Sequence, residues 1–294
     1  MQMNGDAGMP FWRKRRGRVK VHQGKLPPGV PQVGPNDRIV NKPPEEYAEA
    51  LEKVVSTVSE CMLLSRSNAG ISAPTGRYYF ASVIFTSLIT RAVTLVFISP
   101  YSPWSRRTFE HWDHASVANV ARTVMEMRLN FRYLCSDGIG EDEWNCRWNL
   151  FNLHDCTARI DLMTVLGNAD QVTALARQAD ELRARLLANP YFLSLPDKRR
   201  SELLHGKKAH LVPLETIAAG AGIETKTFKM MWQLMSSHIH ALPFSFYRVG
   251  GERGTGVQTT VEEGYTTLLL SFVLVLLVGA RDEFREMFDG LSKE

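Results

Sequence analysis

From Pro43 onward, apolar residues recur at spacings of three and four almost without a break, and no stretch alternates with period two for long enough to make a strand. A 3.6-residue repeat stacks such positions on one helix face, so each helix carries an apolar stripe that must be buried against another helix. The expected fold is all-α: a multi-helix bundle of about eight helices, with residues 45–294 as a single helical domain. The chain has 294 residues, 44% hydrophobic and 22% charged. That balance excludes a mainly disordered, collagen-like or disulfide-scaffold protein.

Helix boundaries follow from capping chemistry. Pro44-Glu45-Glu46 opens a first helix, with Tyr47, Leu51, Val54, Val58 and Met62 on its face and a stop at Asn68 to Gly70. Further helices are expected over 78–98, from 107 or 115 to 135, over 141–166, and from Val172 to Asn189-Pro190. Short ones over 197–205 and 214–221 and longer ones over 225–241 and 261–288 complete the list.

Charge is unevenly placed. Residues 1–44 hold nine Lys/Arg against two acids, a net of +7, while the rest of the chain carries −3. This segment is Pro-rich and has no helix or strand period, so it reads as a flexible basic arm. Its run Phe11-Trp12-Arg13-Lys14-Arg15-Arg16, with Arg18 and Lys20, suits nucleic acid, an anionic membrane surface or an acidic protein partner. An unstructured solubilising tail is the plainer reading. Cys61, Cys135, Cys146 and Cys156 have no C-x2-C spacing, and no apolar h-region follows the basic run. Reduced buried thiols and a cytoplasmic location are therefore expected.

Two segments raise the alternative of membrane association. Residues 78–98 carry Arg91 near the middle and the stripe Ser82, Thr86, Thr90, Thr94, which favours close packing inside a protein. Residues 265–280 are shorter than a bilayer span and are bracketed by charge. Both are expected to be core helices of the bundle.

The third helix combines two apolar strips, Val117-Val120-Val124-Met127-Phe131-Leu134 and Ala118-Ala121-Met125-Leu129-Tyr133, with Arg122, Glu126 and Asn130 aligned four apart. If that polar stripe is enclosed, Arg122 and Glu126 form a desolvated ion pair. On the helix over 225–241, Ser236 and His240 are also four apart, the spacing at which a hydroxyl nucleophile and an imidazole base would meet, although a solvated face needs no such role.

The motif Ala121-Arg122-Thr123-Val124-Met125-Glu126 with Asn130 and Tyr133-Leu134, followed later by Trp232-Gln233-Leu234-Met235-Ser236, His240, Pro243 and Ser245, resembles a family of bacterial all-helical proteins of unknown function. That family is marked by an Ala-Arg-x3-Glu helix and a late Ser-x3-His helix, and the resemblance covers about residues 50–288. Trp232 stands where the family pattern has tyrosine. The resemblance implies a cytoplasmic helical domain with Arg122, Glu126, Asn130, Ser236 and His240 as the residues to follow.

Three function classes stay open. The first is a binding or regulatory module with a polar pocket between helices, with an oligomer possible. The second is a metal-independent ribonuclease of the HEPN type, for which Arg200-Ser-Glu-Leu-Leu-His205 supplies an Arg and a His followed by Lys207, Lys208 and His210. Five residues on a regular helix are about 140° apart, so the pair converges only if the helix ends between them. The third is a helix-turn-helix DNA-binding regulator over 217–228, with Gly222 at the turn. His111 and His114 lack a third ligand at defining spacing, and Gly250 to Gly256 lacks the Lys-Ser/Thr of a phosphate loop. No cofactor and no metal are expected.

Overall fold

Helix ends fall where the sequence places proline, capping side chains and glycine. The structure is a computed structural model that describes residues 42–243, 245, 258–289 and 291. Among these residues there are ten α-helices and no strands: α1 (Glu45–Ser67), α2 (Gly76–Ile98), α3 (His114–Phe131), α4 (Glu141–Val165), α5 (Ala169–Leu187), α6 (Pro190–Leu193), α7 (Asp197–Leu204), α8 (Leu214–Gly220), α9 (Thr225–Ile239) and α10 (Thr260–Phe288). The all-α bundle is thus as expected, with the one-turn α6 added. Asn189 caps α6 by accepting from the Phe192 amide, and the proline that follows it directly, Pro190, fills N1. α3 starts at His114 because the Asp113 side chain accepts from the Ser116 amide. Of the basic arm, residues 1–41, including Arg13, Lys14, Arg15, Arg16, Arg18 and Lys20, lie outside the described residues.

The main core is a bundle of α1, α2, α3 and α10, in which α1 packs on α2 and α10, and α3 packs on α2, α9 and α10. Named contacts set the directions. Tyr47 donates to the Pro100 carbonyl at 2.6 Å and Ser65 meets Thr86, so α1 and α2 are antiparallel. Arg281 reaches Glu60 at 2.6 Å near the far ends of α1 and α10, which run parallel. Phe85 stacks on Phe284 with centroids 4.1 Å apart and touches Phe131, joining three helices at the core. On α3, Ala118, Ala121, Met125, Leu129 and Tyr133 are all buried, whereas Val120 and Met127 of the other strip are half-buried. α3 is therefore the central helix.

α4 to α7 build a second, smaller core around Cys146, Leu150, Leu153, Leu175, Leu182 and Phe192. All four cysteines are free and buried. α2 and α10 are long and apolar enough to cross a membrane by length and composition. In the bundle, Phe85, Leu88, Ala92 and Leu95 of α2 and Leu269, Val273, Leu277 and Ala280 of α10 are fully buried. The Ser82 to Thr94 stripe corrects one expectation. It faces outward, and Thr90 and Thr94 donate to carbonyls one turn back in their own helix, at 2.9 and 3.1 Å, so their hydroxyls need no packed neighbour.

Candidate functional site

The polar stripe of α3 meets α9 through Arg122. This side chain, 8% exposed, donates from Nε to Glu126 at 2.8 Å and from Nη1 to the Ser236 hydroxyl at 2.8 Å. Its guanidinium carbon lies 3.1 Å from the centroid of the Trp232 ring, and Nη1 also points at the Trp232 carbonyl at 3.5 Å. Helix spacing accounts for both ends: Arg122 and Glu126 are one turn apart on α3, and Trp232 and Ser236 one turn apart on α9. Ion pairing, hydroxyl bonding and a face-on aromatic contact thus converge on one buried cation. The pair is only half desolvated, since the Glu126 side chain stays 49% exposed. Its carboxylate therefore offers an acceptor at the surface of the α3–α9 seam.

The other residues of the motif lie elsewhere. Asn130, two turns beyond Arg122, meets His210 Nε2 at 3.0 Å through its side-chain oxygen. His240 is the exposed C-cap of α9 and is tied to Ser236 through its backbone, its amide donating to the Ser236 carbonyl at 3.1 Å. The Ser236 hydroxyl instead accepts from a permanent cation, and among the described residues no base faces it. Arg200 is paired with Asp197 in the first turn of α7, while His205 is exposed at that helix's C-cap. The segment over 217–228 does form helix, glycine turn and helix, with Gly222 at φ +77°. Its second helix buries Phe228, Met231 and Met235 and leaves Thr225, Lys226 and Lys229 exposed.

Sequence reasoning missed the charge network where α3 ends. Five residues, Arg132–Ser136, continue the helix as a π-turn, which changes the direction of its last carbonyls. Two of them are taken by α4: Trp144 Nε1 donates to the Leu134 carbonyl and Arg147 to that of Tyr133, both at 2.8 Å. Arg147 also pairs with Glu143 and Asp137, and these bonds outweigh burial to raise its pKa. Arg132 links Asp137 to Glu283 of α10. Glu283 in turn holds Arg128, 1% exposed, through a two-point contact at 2.9 and 2.6 Å. A π-turn leaves no periodic mark in the sequence, and partners as far apart as Arg128 and Glu283 have no fixed spacing.

Imidazoles are buried in two further places. His210 lies between the Tyr133 and Phe151 rings, and burial, aided by His154 and Arg147, pulls its pKa down to about 4. His114 and His238 meet edge to face at 4.9 Å beside Tyr265, where α3 and α10 begin and α9 ends. Burial lowers the His238 pKa against the pull of Asp113. Among the described residues, no group of three or more His, Cys, Asp or Glu side chains is arranged to hold a metal ion. Comparison with protein-family models, curated proteins and solved structures finds no match.

Proposed function

We propose that this all-helical protein is a binding or regulatory module whose recognition element is the polar seam between α3 and α9. The observation that supports this reading is the buried guanidinium of Arg122, which ties Ser236 and Trp232 of α9 to α3 while pairing with the half-exposed carboxylate of Glu126. A ligand that brings a cation or a cluster of N–H donors to Glu126 competes with Arg122 for that carboxylate. The hold on α9 then changes, so occupancy is transmitted to a whole helix. The hydroxyl of Ser236 serves here as an acceptor in the clasp. The four buried free thiols fit a reducing compartment, and we assign the protein to the cytoplasm, beside the helical family its motifs resemble.

Hydrogen exchange of the α9 amides, followed on the full chain with and without millimolar putrescine or agmatine, tests the reading. One of these probes should alter α9 exchange in the native protein, and Glu126→Gln should abolish the response while keeping the melting temperature within a few degrees. No response to either probe, or an equal response in Glu126→Gln, defeats the proposal.

A further inference from the structure

Where α2 ends and α3 begins there is a cavity of about 480 Å3, lined by Arg106, Arg107, His111 and Ser116 with Ile98 and Phe109 as its apolar wall. Its charged groups divide into those already committed and those still open. Arg107 is committed: Nε donates to Ser105 Oγ at 3.0 Å, Nη2 donates to the Phe97 carbonyl, and Nη1 lies 3.9 Å from Glu110. Glu110 is held in turn by the Tyr101 amide at 2.6 Å. Asp113, the acid on the cavity wall, spends both oxygens on the α3 cap, one on the Ser116 amide at 3.0 Å and one on its hydroxyl at 2.5 Å. Those bonds, together with His111 and His114, outweigh burial and keep its pKa below the usual aspartate value.

The open groups are cationic or donor-rich. Arg106 and His111 are exposed and make no hydrogen bond or ion pair among the described residues. Phe109, beside them, is 69% exposed. A guanidinium with free donors is suited to two-point binding of a carboxylate or phosphate, and the apolar wall suits a hydrocarbon or aromatic body. We propose that this cavity binds a small amphiphilic anion, with its acid group at Arg106 and His111 and its apolar body against Ile98 and Phe109. The site is separate from the α3–α9 seam and does not depend on that reading.

Titration calorimetry of the full chain with octyl phosphate below its micelle concentration provides the test. Arg106→Gln should bind at least about tenfold more weakly, as expected for losing a charge-assisted contact, and His111→Asn should weaken binding further. Both side chains are exposed, so melting temperatures should not change. Octanol, which lacks the charge, and inorganic phosphate, which lacks the body, should each bind at least about tenfold more weakly than octyl phosphate. Flotation with phosphatidic-acid vesicles separates the two sources of such an anion: binding to vesicles that is lost in Arg106→Gln points to a lipid headgroup, and binding to soluble octyl phosphate alone points to a free small molecule. Glu126→Gln should leave octyl phosphate binding intact. The proposal is overturned if the Arg106→Gln/His111→Asn double variant binds octyl phosphate like the native chain, or if octanol binds equally well.

Discussion

Removing the Glu283 side chain should destabilise the protein far more than removing that of its partner Arg128. The Arg128 guanidinium is 1% exposed and bonds both oxygens of Glu283, at 2.9 and 2.6 Å, in space left by Gly279, where a Cβ would sit 3.1 Å from Arg128 Nη2. In Glu283→Ala a fully buried cation loses its only carboxylate among the described residues, a loss of about 3–5 kcal/mol. In Arg128→Met the carboxylate left behind is 20% exposed and retains Arg132 at 3.5 Å and the Ser136 hydroxyl, so about 1–3 kcal/mol is expected. Arg128→Met/Glu283→Leu should recover most of the Glu283→Ala loss, because an apolar pair of similar volume needs no desolvation. Urea unfolding followed by circular dichroism and by fluorescence measures all three, with unchanged m-values showing that the same transition is compared. The reasoning is refuted if Arg128→Met costs as much as Glu283→Ala, or if the double variant is no more stable than Glu283→Ala.

Stability should fall as pH drops from about 6.5 towards 4, because His210 binds its proton in the unfolded chain across that window but in the folded one only near pH 4; the contribution is up to about 3 kcal/mol, and urea titrations of His210→Gln should show a flatter pH profile. Gly206→Ala should cost about 2–4 kcal/mol in chemical denaturation, since it forces alanine to φ +70° and places its Cβ 2.5 Å from Thr157 Cγ2; a loss below about 1 kcal/mol would contradict the geometry. Burial pushes the thiols of Cys61, Cys135 and Cys146 up to about 12, so a disulfide reagent at pH 8 should label them only at the rate of unfolding, and rapid native-state labelling would show that these sites open locally.

The helical period from Pro43 onward determined the all-α fold and, with Pro44, Asn189-Pro190 and Gly222 as punctuation, most helix boundaries to within about three residues, while the caps at Asp113 and Asn168 that start α3 and α5 went unread. These are local matters: a proline, a cap or a glycine acts on the backbone within one turn. The four-residue spacings also set Arg122 beside Glu126 and Trp232 beside Ser236 before any packing is known. Only the tertiary structure placed those two pairs against each other, by running α9 antiparallel to α3, as the contacts of His114 with His238 and of Arg122 with Ser236 require. The same packing turned Asn130 towards His210 and left His240 at the surface, although spacing alone aligns all of them. It also brought Glu283 to Arg128 across 155 positions, and formed an open cavity beside Arg106 and His111 in a segment without periodicity. A helix repeat fixes which residues share a face, but which face meets which neighbour depends on how the whole set of apolar stripes is buried at once, and no single stretch of sequence contains that information.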